Sequence, residues 1–342
     1  MAALETLATA RSQLFTELQT DLEQRGNSSA NISRFLNCLT ATTEDGKPNH
    51  ALAVVKAGYN FLPEPPTPQE HVHLAILGWL VELFQAAYLV SDETIDGAEH
   101  HLGRSCWSTR DGVGLAAVND ACMLKSCIFL LLQRHFRSHP EYVYFVELFH
   151  EAAFRTELGR LCDAATAASG HIEDMTPERY DFIARNKTAF GSFYLPVALA
   201  MRYCGLAAEE GLEQAKLVLL DIGVYSRIQG DFLDVFGDPA ATGKAGTSIQ
   251  RNNCTWVVVQ ALGLSDVQQR QALSESYGKK TVEHERRVKG LFCELDMDAL
   301  YTDFEKRRLS ELQAQIDAFD ESCGCKKDVL NTVLDSIRRR NE

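Results

Sequence analysis

Between His73 and Val90 the apolar residues Leu74, Leu77, Leu80, Leu83, Phe84 and Ala87 recur at threes and fours, the spacing that lines up side chains on one face of an α-helix. The same period runs from Gly211 to Phe236. It returns, with more charge between the apolar positions and therefore more exposure, from Leu309 to Ile337. Breakers fall where such helices should stop. Leu62-Pro63-Glu64-Pro65-Pro66-Thr67-Pro68 is a loop ahead of the first helix, and Gly237-Asp238-Pro239 closes the second. No alternating strand pattern flanks a hairpin turn. The pattern predicts an all-α protein, read as one domain over residues 1–342 with its helices bundled around a central cavity.

Two acidic clusters interrupt these apolar helices. Asp92 and Asp96, in Leu89-Val90-Ser91-Asp92-Glu93-Thr94-Ile95-Asp96, are four residues apart, which on a helix places both carboxylates on one face, roughly 5–6 Å apart at Cβ. Such a pair can hold Mg²⁺, which takes one or two carboxylates and completes its shell with water and substrate phosphate. A second pair, Asp231 and Asp234, lies in Gln229-Gly230-Asp231-Phe232-Leu233-Asp234. Either cluster alone reads as a solvated helix face. Together they point to a diphosphate held between metal ions.

Composition narrows the partners. The 342 residues carry a formal net charge of −13, the wrong sign for a nucleic-acid surface, so no nucleic acid is expected. The charge does not exclude an anionic substrate, because bound Mg²⁺ reverses the local field. No run of 18 apolar residues occurs, so no membrane span is expected. The ten cysteines are scattered through apolar helical segments and the N-terminus lacks a charged stretch followed by an apolar run, which reads as reduced thiols in a cytoplasmic protein. Cys323 and Cys325 have no matching pair for a metal and read as loop.

The segments Phe84-Gln85-Ala86-Ala87-Tyr88-Leu89-Val90, Gly103-Arg104-Ser105-Cys106-Trp107, Lys187-Thr188-Ala189-Phe190-Gly191-Ser192-Phe193-Tyr194-Leu195-Pro196, Phe232-Leu233-Asp234-Val235-Phe236-Gly237-Asp238-Pro239 and Thr242-Gly243-Lys244-Ala245-Gly246-Thr247 together resemble the trans-isoprenyl diphosphate synthases, most of all those of the animal farnesyl diphosphate synthase type. The resemblance implies an isoprenoid synthase (terpene synthase-like) helical bundle, a homodimer, a prenyl diphosphate substrate and two or three Mg²⁺ ions. It assigns Asp92, Asp96, Asp231 and Asp234 to the metal, and Lys187 and Lys244 to the leaving diphosphate. Lys47, Gln85, Ala87, Tyr88, Thr188, Phe190 and Gln229 would contact substrate. Arg227, one turn before Asp231, either contacts phosphate or pairs with that carboxylate.

Several positions depart from the family pattern. The first motif, Asp-Asp-x-x-Asp in the family, reads Asp92-Glu93-Thr94-Ile95-Asp96; the following Arg-Arg pair is His101-Leu102; the N-terminal Gly-Gly-Lys-x-x-Arg is Asp45-Gly46-Lys47-Pro48-Asn49-His50; and the leading Asp of the second motif is Gly230. Gly230 places a third ion in question unless Asp234 or Asp163 compensates, and the family's second lysine falls at Asn253. Each charge-assisted phosphate contact contributes on the order of 1.5–3 kcal/mol. Losing arginines at 50 and 102 therefore predicts isopentenyl diphosphate binding weakened by about two or more orders of magnitude. Retained allylic-side residues with a weakened second site resemble the insect terpene synthases. The expected activity is therefore a Mg²⁺-dependent terpene synthase, a lyase acting on farnesyl diphosphate. A geranylgeranyl diphosphate-using enzyme, a condensing prenyl diphosphate synthase helped by His50 and His101, and a weakly active regulatory subunit are the alternatives. Tyr88 with the small Ala87 beside it, where the family usually has two aromatics, deepens the expected chain pocket. Phe190, Phe193, Tyr194, Tyr225 and Phe232 are candidates to line it.

Overall fold

A computed structural model describes residues 2–43, 48–101, 104–206, 208–238 and 246–338. The helices are α1 (Ala2–Gln24), α2 (Ser29–Thr43), α3 (Asn49–Phe61), α4 (Pro68–Asp96), α5 (Ala117–Phe136), α6 (Tyr142–Ser169), α7 (Pro177–Ile183), α8 (Leu195–Tyr203), α9 (Glu209–Phe236), α10 (Trp256–Leu264), α11 (Val267–Ser276), α12 (Val282–Glu294), α13 (Met297–Asp317) and α14 (Lys327–Arg338). The fold is all-α. The exception among the described residues is a two-residue antiparallel ribbon, β1 (His100–His101) with β2 (Arg104–Ser105). The helix expected across 309–337 is two, α13 and α14, because Gly324 adopts φ 97° in the linker between them.

The contacts divide the chain into two compact units. The first comprises Met1–Glu151, Tyr194–Glu213 and Glu321–Val329; the second comprises Ala152–Phe193, Gln214–Asp320 and Leu330–Glu342. In the first unit α4 is the central rod, packed by α1, α2, α3, α5 and α8. Its ends are set by sequence. Thr67 and Glu70 form a capping box with Pro68 in the first turn, and Gly97 closes the C-terminus at φ 59°, returning its N–H to Glu93 and Thr94. Leu74 to Leu80 are buried on every side of the helix. By length and composition α4 and the segment Gly114–Phe136 are long and apolar enough to cross a membrane, a test that core helices also pass. The apolar window of α4 is 78% buried, the position of a core helix.

The first unit also gathers histidines. His73 Nδ1 lies 3.1 Å from the Tyr203 hydroxyl, and His139 stacks on Tyr203 with centroids 5.3 Å apart. Burial holds both imidazoles below their ordinary value, with His135 and His139 adding to the effect on His73 and the carboxylates Glu70 and Glu141 opposing it. Above about pH 6.5 both rings are neutral in the folded and unfolded chain. Below it the unfolded chain takes up the protons first, so stability is lost as pH falls toward the folded values. Thermal unfolding midpoints should drop as pH falls from about 6.5, and His73→Gln/His139→Gln should flatten that drop. Equal slopes in variant and wild type would refute the assignment.

In the second unit an aromatic cluster organises the core. Phe232 stacks on Tyr301 with centroids 3.8 Å apart and planes 6° apart, and Trp256 meets Tyr301 edge-on at 5.9 Å. Tyr225, fully buried, donates its hydroxyl to Glu305 at 2.8 Å. Phe190 is buried as well, at 2% exposure, with the Arg155 guanidinium 4.8 Å above its ring.

Candidate active site

In the first unit the first acidic motif occupies the last turns of α4. Asp92 is half-buried and Asp96 exposed, one helical turn apart. No basic residue sits in the last turn of α4. The C-terminal end of a helix carries partial negative charge, so two carboxylates there are disfavoured unless a cation joins them. A hard divalent ion fits this donor set. Glu93 faces the other way. It is 8% exposed; burial raises its carboxyl, while the Trp107 amide and the Cys106 thiol pull it down. The longer side chain thus ties α4 to the 106–107 turn.

The residues upstream form a ring stack behind the motif. Tyr88, 8% exposed, meets Phe84 edge-on with centroids 4.8 Å apart, and Phe84 faces Phe149 at 6.3 Å. Lys125 Nζ lies 5.5 Å from the Tyr88 ring centroid. Ala87 is buried and Gln85 half-buried.

His50 does not stand ready for phosphate. Its backbone N–H and that of Ala51 donate to Glu82 Oε1 at 2.9 and 3.0 Å, and its ring Nδ1 is 3.5 Å from Glu82 Oε2. Burial pushes the Glu82 carboxyl up, and these contacts more than offset it, leaving it below the ordinary range. Lys47, Leu102 and Lys244 lie outside the described residues.

In the second unit Lys187 and Thr188 sit on a π-helical stretch, Ala184–Tyr194. Such widened turns are uncommon and concentrate at functional sites. Pro196, in the first turn of α8, lacks the N–H that would carry an α-helical ladder back into this segment. Two glycines let neighbouring helices approach closely. A Cβ at Gly159 of α6 would lie 2.5 Å from the Lys187 backbone N, and one at Gly223 of α9 would lie 2.5 Å from Ala189 Cβ. Lys187 Nζ donates to Asp163 Oδ2 at 2.7 Å. Asp163 is 6% exposed, and its Oδ1 is buried without a hydrogen-bond partner among the described residues, leaving an acceptor for a ligand or water.

The second acidic motif is tied down by its own chain. Arg227 Nε donates to Asp231 Oδ1 at 2.9 Å, and the Trp256 amide donates to Asp231 Oδ2 at 3.0 Å. Of the two readings of Arg227, the structure shows the ion pair. Burial pushes the Asp231 carboxyl up against the pull of Arg227; burial works against the Arg227 charge, and Asp231 and Asp163 overcome it, so the guanidinium stays protonated. Asp234 Oδ2 accepts the Thr247 and Ser248 amides at 3.1 and 3.0 Å. Gln229 is 1% exposed, inside the core of this unit. Gly230 is exposed, and a Cβ added there would meet nothing within 4 Å, so the chain has room for the carboxylate it lacks. Among the described residues no group of three or more His, Cys, Asp or Glu side chains stands together as a metal cluster.

Asp231→Ala would leave Arg227 buried without its partner and the Trp256 amide without an acceptor. Breaking a buried pair this way costs about 3–5 kcal/mol. Urea denaturation should show that loss, and Arg227→Met/Asp231→Leu should recover most of it. An Asp231→Ala protein as stable as wild type would show that the pair does not hold the unit together.

Comparisons agree on one family. The sequence model described as polyprenyl synthetase matches residues 33–295. Farnesyl pyrophosphate synthase of Candida albicans is 40% identical over 347 aligned positions, covering 100% of this chain and 99% of that protein. The Saccharomyces cerevisiae enzyme of the same name is 40% identical over 336 positions, covering 96% and 95%, and the human one 40% over 291, covering 84% and 70%. A solved T. brucei farnesyl diphosphate synthase shares the fold with a TM-score of 0.93 at 22% identity, covering 99% of this chain and 100% of that one. These relatives overturn the expectation of a terpene synthase acting as a lyase. All of them are synthases of farnesyl pyrophosphate by name, and they cover 84% to 100% of the chain.

Proposed function

Because the chain belongs to the polyprenyl synthetase family, we propose that it is a prenyltransferase that joins isopentenyl diphosphate to an allylic diphosphate, releasing diphosphate and lengthening the prenyl chain. The observation that carries the reading is the 40% identity to a farnesyl pyrophosphate synthase over the whole chain. The local geometry supports it. Asp92 and Asp96, at the negative end of α4, would hold Mg²⁺, which when bound neutralises the leaving diphosphate. In the second unit, the family resemblance assigns Lys187, oriented by Asp163, to a diphosphate, and Asp231 and Asp234 to metal, Asp231 also pairing with Arg227. Tyr88, backed by Phe84, would limit the length of the bound chain.

The family match spans stretches of both compact units, which supports reading residues 1–342 as one catalytic domain. A homodimer fits an apolar stripe on α6, where Phe154, Leu158 and Leu161, spaced by four and three, are 63%, 36% and 66% exposed. Nine described cysteines are free thiols, in keeping with a cytoplasmic protein. The test is substrate dependence. Diphosphate release from geranyl diphosphate should require isopentenyl diphosphate, and release from the allylic substrate alone would overturn the reading.

A further inference from the structure

In the second unit Asp231 is held between two positive groups. Arg227 stands one turn before it on α9, at the four-residue spacing that brings side chains together, and its Nε donates to Oδ1 at 2.9 Å. The amide of Trp256, the first residue of α10, donates to Oδ2 at 3.0 Å. N–H groups in the first turn of a helix lack intrahelical partners and carry partial positive charge. Both oxygens of Asp231 therefore face fixed positive charge, with its side chain 8% exposed and that of Arg227 16%. Asp163, also buried, adds a second attraction on the Arg227 guanidinium and gives its Oδ2 to Lys187.

These donors do not fit a divalent ion. Mg²⁺ takes one or two carboxylates in near-octahedral geometry. Position 230 supplies none. At either oxygen of Asp231 a divalent ion would face the Arg227 guanidinium or the positive end of α10, both of its own sign. Asp234 has committed Oδ2 to the Thr247 and Ser248 amides.

We propose that Arg227 is a resident cation that takes the place of a divalent ion at Asp231, so that Asp231 ties α9 to α10 and is not a metal ligand. Asp231 thereby departs from the role that the family resemblance gives it, and Asp92 and Asp96 become the principal metal-binding carboxylates. A guanidinium suits the position. It stays charged across the physiological pH range and is weakly hydrated, so it tolerates burial beside carboxylates better than an ammonium. Unlike an ion, it is fixed to its helix and independent of the Mg²⁺ concentration. The presence of Mg²⁺ in the enzyme rests on the function proposed above; the pairing of Arg227 with Asp231 does not.

Equilibrium dialysis against Mn²⁺, a spectroscopically countable substitute for Mg²⁺, with inorganic diphosphate present, measures the ions held per chain without turnover. Arg227→Gln frees the carboxylate of its cation, so this variant should hold one more ion than wild type or bind Mn²⁺ at least about tenfold more tightly. Arg227→Met/Asp231→Leu, expected above to recover most of the lost stability, should hold as many ions as wild type. Circular dichroism confirms that each variant is folded, and should Arg227→Gln not fold, the double variant decides alone. Identical Mn²⁺ uptake by Arg227→Gln and wild type, or loss of an ion in the double variant, would overturn the proposal. Because ions are counted without prenyl substrates, a failure here is distinct from a failure of chain elongation.

Discussion

Asp92→Asn will lower turnover by about a thousandfold or more while leaving thermal stability nearly unchanged. The carboxylate is one of two on the last turns of α4, where the helix end already contributes negative potential. An amide keeps the shape and removes the charge that draws a divalent ion. Under the proposed role of Asp92, losing this ligand would forfeit several kcal/mol of charge stabilisation in the transition state, and about 4 kcal/mol corresponds to a thousandfold. The stability change should stay within about 1 kcal/mol, because a carboxylate at a helix C-terminus is itself unfavourable there. Steady-state kinetics with saturating Mg²⁺ alongside a melting curve reads both. Retained activity would remove Asp92 from the metal site.

Gly159→Ala will cost about a hundredfold in activity and lower stability as well. On an ordinary helix this substitution stabilises by roughly 0.5–1 kcal/mol. Here the added methyl would meet Lys187 N at 2.5 Å, Lys187 Cα at 2.9 Å and the Asn186 carbonyl carbon at 3.0 Å, all backbone atoms that cannot rotate away. Overpacking of this kind costs about 1–3 kcal/mol, so the clash outweighs the propensity gain. The relief is a shift of the π-helical segment, and under the proposed role of Lys187 a displacement of about 1 Å would cost on the order of a hundredfold. Gly290→Ala on α12 is the control: it is exposed with nothing within 4 Å of the new methyl, and it should stabilise without changing activity. Equal activity in Gly159→Ala and wild type would show that the position of Lys187 does not depend on this contact.

The long apolar period of residues 73–90 identifies α4, and the Thr67 box and Gly97 cap are local signals at its ends. The four-residue spacing of Asp92 and Asp96 likewise survives as neighbouring turns of one helix. What the sequence hides depends on contacts distant along the chain. Glu82 reaches back 32 residues to His50, and Arg34 reaches forward 86 residues to Asp120; no periodicity encodes either pairing. Apolar spacing alone does not separate the π-helical stretch at 184–194 from ordinary helix, and Pro196 is its one local sign. The four-residue spacing of Arg227 and Asp231 leaves their ion pair as one of two readings, and only the fold adds the Trp256 amide, 25 residues on, to the second oxygen of Asp231. The expectation of a terpene synthase fails in a related way. It weighs the lost arginine positions at 50 and 102 one by one, whereas the match to a farnesyl pyrophosphate synthase runs over the whole chain.

The most direct test of the central claim is to incubate the protein with Mg²⁺, geranyl diphosphate and isopentenyl diphosphate carrying a carbon-13 label, and to weigh the product by mass spectrometry. The account predicts a prenyl diphosphate one labelled five-carbon unit longer than the allylic substrate, formed only when both substrates are present. An unlabelled hydrocarbon or alcohol formed from geranyl diphosphate alone, with the labelled substrate left intact, would contradict it.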